Sequence, residues 1–141
     1  MKIADRVKFF GGLPREKTLE TIAQCHVLVH PSLHESGGFV CLEAMAAGRP
    51  VICLNLGGPA VQVPSTAGFL VPASNLTQTV EAFSKVMLTL ATDRDLREQM
   101  GEAGRKHVRE NYVWEAKAKQ LAKVYGDYCG RDKTDSVTTT A

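Results

Sequence analysis

The chain has 141 residues, 44% hydrophobic and 23% charged, which is enough for one domain with a core and unlike a disordered chain, a repeat array or a disulfide-stapled miniprotein. Seventeen Lys and Arg against 15 Asp and Glu leave a formal charge of +2 with the signs interspersed, so nothing in the charge favours nucleic acid. No apolar stretch approaches the roughly 20 residues of a membrane span, and the opening MKIADRVKFF lacks the apolar centre of a signal peptide.

In chain order, the run Val7–Phe10 reads as a first strand and is followed by Gly11-Gly12. A helix is predicted next, with Pro14 at its first position and Leu19, Ile22 and Ala23 at helical spacing. Val27–His30 reads as a second strand. A helix over about Gly38–Ala47 follows, ended by Gly48 and Pro50. Val51–Leu54 and Gly68–Val71 read as further strands, and apolar strands alternating with helices predict an α/β fold with a parallel sheet buried on both faces. Beyond Val71 the pattern turns wholly helical, over about Leu76–Ala91, Arg94–Glu110 and Trp114–Tyr128, and Gly130–Ala141 reads as a disordered tail. Cys25, Cys41, Cys53 and Cys129 are far apart with no C-x-x-C spacing, which predicts a reduced, cytoplasmic protein; a peripheral place on the inner face of the membrane stays open.

Charge is unevenly spread. From His26 to Val80 the charged side chains are Glu35, Glu43 and Arg49 alone, whereas Asp93–Lys133 is dense in both signs. Two acids isolated in an apolar segment need a reason. They lie in the run His30–Glu43, which reads as a strand end, a glycine-bearing loop and a helix start, where an open α/β sheet places its ligand. The amides of Gly38, Phe39 and Val40 at the helix start are candidates to face a phosphate, with Gly37 and Gly38 allowing close approach. Glu43, about one turn further on, suits ribose hydroxyls rather than a phosphate, which it would repel. Glu35 would face whatever lies beyond the phosphates, such as sugar hydroxyls or a developing cationic sugar carbon. For either acid alone, capping (Glu35) or ordinary helix exposure (Glu43) is the simpler account; the isolated pair points to a site. Asn55–Ala60 and Phe10–Leu13 are each either turns or backbone brought to the same ligand, and His34 is either part of the site or a loop residue. His34-Glu35 lacks the second histidine of H-E-x-x-H, since Gly38 stands there, so no metal is expected.

These residues together resemble the C-terminal, donor-binding domain of retaining GT-B glycosyltransferases, the group 1 family with an E-x7-E motif. Here that motif runs from Glu35 to Glu43 within HPSLHESGGFVCLEAMAAGRPVICLNLGGP, accompanied by RVKFFGGLP, GFLVPA and NYVWEAKAKQLAKVY. The resemblance covers about residues 5–128. It implies a Rossmann-like parallel sheet flanked by helices, the partial C-terminal half of a GT-B fold ending in C-terminal helices. Residues 1–129 would form one nucleotide-sugar-binding domain, incomplete on its N-terminal side. The implied activity is retaining transfer of a sugar from a nucleotide sugar to an acceptor in polysaccharide or glycoconjugate synthesis, with no metal or other cofactor.

Carried onto this chain, the resemblance makes Glu35 the catalytic carboxylate facing the donor sugar and gives Glu43 the ribose. The amides of Gly38, Phe39 and Val40 would hold the diphosphate or sugar, with His34 beside them, and Gly11 and Leu13 would border the base. Val61 stands where relatives usually have a glutamate. The upstream strands, with the Arg and Lys that neutralise the departing diphosphate, and the acceptor-binding N-terminal domain are expected to be supplied in cis or in trans, because losing a positioned cation there costs several kcal/mol of barrier. The chain alone is therefore expected to be inactive. The rival readings are a non-catalytic nucleotide-sugar-binding or assembly module and a sugar-nucleotide epimerase.

Overall fold

Hydrophobic residues in two short, wholly buried registers set the centre of the molecule. In the computed structural model, which describes residues 3–129, Val51–Leu54 forms β2, the middle strand of a three-stranded parallel sheet. It pairs on one side with β1 (Leu28–His30), His30 lying opposite Cys53, and on the other with β3 (Gly68–Val71). Successive β2 side chains point to opposite faces. Val51 and Cys53 enter one core with Cys41, Ala44 and Met45, while Ile52 and Leu54 enter a second with Val71, Phe83 and Leu90. Sealing both faces is why the strand reads as a continuous apolar run.

The first core is roofed by α1 (Arg15–Gln24), α2 (Phe39–Ala46) and the short α3 (Gly57–Gln62), and it is reached by Val108 of α5 (Arg94–Asn111). The second lies under α4 (Leu76–Thr92). Met45 is fully buried; a side chain of that size stabilises the fold by about 1.5–3 kcal/mol on burial. Asn75 caps α4 by accepting the Gln78 N–H, and Asp93 caps α5 by accepting the Leu96 N–H, so both helix starts rest on side chains legible in the sequence. The chain finishes with α6 (Trp114–Cys129).

Three expectations need correction. Val7–Phe10 is extended at Val7 but pairs with no strand among the described residues, and Phe9 is 91% exposed. Alternation confers only a local preference, and a strand exists only where a neighbour supplies hydrogen bonds. Pro14 is the N-cap of α1 rather than its first residue, its carbonyl accepting the Thr18 N–H. Asn55–Ala60, read as a turn or ligand-approaching backbone, is helical from Gly57 on, in a helix that runs to Gln62. Cys41 and Cys53 are buried free thiols, and the neighbouring Cys53 thiol together with burial pushes Cys41 well above its ordinary range, keeping it neutral. Cys25 and Cys129 are exposed and free. The tail, 130–141, lies outside the described residues.

Among the described residues β1 pairs on one side only. Beside it run two apolar hollows that share Val29 and Met87, one of about 720 Å³ lined also by Ile52 and Leu90, the other of about 500 Å³ lined by Leu33, Leu76 and Phe83. No helix among the described residues is long and apolar enough to cross a membrane.

Candidate functional site

The loop 31–38 leaves the carboxyl end of β1 and turns into α2. Gly38 is the N-cap of α2 in a left-handed conformation (φ 56°), and a Cβ there would also press on the Pro59 ring, so glycine is required twice over. The Gly38 N–H donates to Glu35 Oε1 at 3.0 Å. Glu35 is thus held as a cap, and its other oxygen lies 3.5 Å from Nε2 of His30 at the end of β1. The amides of Phe39 and Val40, the first two residues of α2, have no acceptor among the described residues and leave the positive end of the helix open. Phe39 itself is exposed.

The second acid stands one turn further along α2. Glu43 accepts a hydrogen bond from Nη1 of Arg15, at 2.7 Å, its side chain 19% exposed against 74% for the arginine. This pair ties the start of α1 to α2 and leaves Glu43 Oε2 without a partner among the described residues. Gly11, in a left-handed turn (φ 66°), and Leu13 precede it on exposed chain. His34 is an exposed loop residue whose carbonyl accepts the Ser32 hydroxyl at 3.3 Å.

The opposite wall comes from the Gly57-Gly58 helix. Gly58 N–H donates to the Glu35 carbonyl at 3.2 Å, and a Cβ at Gly57 or Gly58 would collide with the carbonyl oxygens of Glu35 or Ser36. The glycines therefore serve backbone-to-backbone contact between two loops. Gln62 Nε2 donates to the Gly37 carbonyl and is backed by His107 of α5, whose Nε2 lies 3.1 Å from the Gln62 carbonyl. Glu35, Ser36, Gly57, Gly58, Val61, Gln62 and Tyr112 enclose an open cavity of about 500 Å³. Among the described residues no three His, Cys, Asp or Glu side chains gather as a metal would need.

Arg15, His30 and Gln62 were missed as candidates by sequence reasoning. His30 ends an apolar strand and is followed by Pro31, which gave some signal. Arg15 and Gln62 reach the site across 28 and 25 residues, and no local pattern reports that.

A parallel sheet with a loop at its carboxyl end, an open helix start and acids on the loop and the helix defines an α/β domain of the GT-B class, here the partial C-terminal half of that fold. The model for glycosyl transferases group 1 matches residues 1–107, and the chain belongs to that family. It is 35% identical to the D-inositol 3-phosphate glycosyltransferase of Corynebacterium diphtheriae over 126 residues, 89% of this chain and 28% of that protein. It is 31% identical to a GDP-mannose-dependent monoacylated alpha-(1-6)-phosphatidylinositol monomannoside mannosyltransferase of Corynebacterium glutamicum, covering 86% and 33%. Among solved structures it resembles the sucrose-phosphate synthase of Thermosynechococcus elongatus, with TM-score 0.69, 32% identity and coverage of 92% and 32%. The chain thus spans about a third or less of the proteins it matches.

Proposed function

We propose that this chain is the donor-binding part of a retaining glycosyltransferase that moves a sugar from a nucleotide sugar to an acceptor hydroxyl. One observation carries the reading: the open amino terminus of α2 has a carboxylate in the loop before it and another one turn after it, Glu35 and Glu43. The amides of Phe39 and Val40 receive the diphosphate, where the helix end favours negative charge. Gly38 contributes its position rather than its N–H, which Glu35 occupies. Glu43 keeps one oxygen on Arg15 and offers the other to the ribose hydroxyls. Glu35 faces the donor sugar, with His34 at the loop rim, and Gly11 and Leu13 border the base. In the reaction the bond from the anomeric carbon to the diphosphate breaks, the electron pair leaves on the phosphate oxygen, the acceptor oxygen bonds on the same face, and the acceptor's hydroxyl proton passes to the departing phosphate oxygen.

The apolar hollows beside β1 are the surface covered by the rest of the enzyme, in cis or in trans, which also brings the acceptor site and the cations that stabilise the leaving diphosphate. The chain alone then binds donor without turnover. The complete enzyme works in polysaccharide or glycoconjugate synthesis on the cytoplasmic side, against the inner face of the membrane. The mannosyltransferase relative and the similar structure of WaaG, a glycosyltransferase involved in lipopolysaccharide biosynthesis, support that setting.

The test is thermal unfolding of the chain with uridine, guanosine and adenosine diphosphates and their sugars, in wild type and Glu43→Ala. A ligand at a hundred times its Kd adds about 2.7 kcal/mol, a shift of several degrees. One base should raise Tm in the wild type and leave Glu43→Ala unmoved. A folded wild type that no nucleotide shifts, or an equal shift in the variant, rejects the site.

A further inference from the structure

At the opposite end of the sheet, the segments that lead into β1 and β2 meet the junction of α4 and α5. In a parallel α/β sheet the helices run against the strands, so α1, α2 and α4 all present their carboxyl ends here, where carbonyls carry partial negative charge. Arginines answer them. Arg49 Nη2 donates to the Ala23 carbonyl near the end of α1 at 2.6 Å, and Arg97 Nη1 donates to the Leu90 and Ala91 carbonyls near the end of α4.

Capping explains only part of this cluster. Arg49, Arg94 and Arg97 line a cavity of about 350 Å³ with His26, Gly48 and Glu98. Each guanidinium engages one nitrogen on the protein: Arg49 and Arg97 as above, and Arg94 through Nε to Glu98 at 2.7 Å. Their remaining nitrogens find no acceptor among the described residues; Arg49 Nε is itself buried, so it is the Nη groups that are open to a ligand. Three guanidinium cations line the cavity with one carboxylate, so its lining carries more positive than negative side chains, beside the partial negative charge of the helix ends. The amino terminus of α5 begins at the same place; the Asp93 side chain takes the Leu96 N–H there and does not line the cavity. Guanidinium groups match the paired oxygens of phosphate better than any other side chain.

We propose that this cavity binds a phosphate monoester or inorganic phosphate, with Arg49, Arg94 and Arg97 as its donors. It is separate from the loop 31–38 and the amino end of α2, which lie at the other end of the sheet.

The experiment is an ¹⁵N-resolved titration of the full chain with inorganic phosphate at low ionic strength. The backbone amides of Gly48, Arg49, Arg94 and Arg97 and the guanidinium Nε–H groups of those arginines should shift and saturate. Arg94 is exposed and holds no helix end, so Arg94→Gln should fold normally and weaken binding about tenfold, the worth of one charge-assisted contact. Arg97→Lys, which keeps the charge and a donor for α4 but loses the fork, should weaken it as well. Phosphatidylcholine vesicles with and without phosphatidate separate the two sources. Retention on phosphatidate vesicles that Arg94→Gln and free phosphate both reduce identifies a lipid headgroup. Saturation by phosphate without vesicle retention identifies a soluble ligand. Shifts confined to Gly37–Val40, no saturation, or equal affinity in Arg94→Gln would overturn the proposal.

Discussion

The two ends of the sheet are built from the same helices and solve opposite electrostatic problems. At the carboxyl end α2 starts with free amides, and the chain places acids and close-packed glycines around it; at the amino end α1, α2 and α4 finish, and the chain places arginines. The difference teaches that the polarity of a parallel sheet assigns charge before any ligand does. Helix starts are positive and attract carboxylates such as Glu35, and helix finishes are negative and attract Arg49 and Arg97. Function at either end must then be read from what capping leaves over: a free oxygen on Glu43, open amides on Phe39 and Val40, and unspent nitrogens on the arginines.

The sharpest way to break the carboxyl end is Gly58→Val. Its side chain would enter the space held by the Ser36 carbonyl, so the two loops must part. Urea unfolding should show a loss of about 3 kcal/mol, a large fraction of the stability of a domain this size. At the amino end, Arg49→Met should cost about 1–2 kcal/mol in the same measurement. It keeps the apolar stem but leaves the Ala23 carbonyl without its charged donor. A loss there as large as at Gly58 would mean the arginine cluster is a structural keystone rather than a cap with spare donors.

The smallest effects separate the two acids. Glu35→Ala removes the carboxylate that accepts the Gly38 N–H just before α2 and should lower stability by about 1 kcal/mol. Arg15→Met, which deletes an exposed partner of Glu43, should change it by less than about 0.5 kcal/mol. Thermal or urea unfolding of the two side by side checks the contrast. Equal losses would show that the Arg15–Glu43 pair holds α1 on α2.

The sequence by itself determined β2 and β3 to the residue, because four-residue apolar runs between turn signals have one economical burial. It also determined α4, α5 and α6 to within a residue or two, since the pattern beyond Val71 is wholly helical and dense in both charges from Asp93 on; the caps Asn75 and Asp93 emerge in the structure. The Glu35–Glu43 spacing likewise marked the loop and helix that form the candidate site. Only tertiary structure decided the remainder. Val7–Phe10 has a strand's alternation and no strand beside it. Gly57-Gly58-Pro59 has a turn's composition, yet it begins a helix because the first-turn N–H groups need no intrahelical acceptor, which tolerates proline, and because the loop at Glu35 and Ser36 leaves room only for glycine. Arg15 on Glu43, Gln62 on Gly37 and Arg49 on Ala23 join residues 25 or more apart. Local pattern fixes which face of an element is apolar, but which polar groups meet across elements depends on how those faces are stacked.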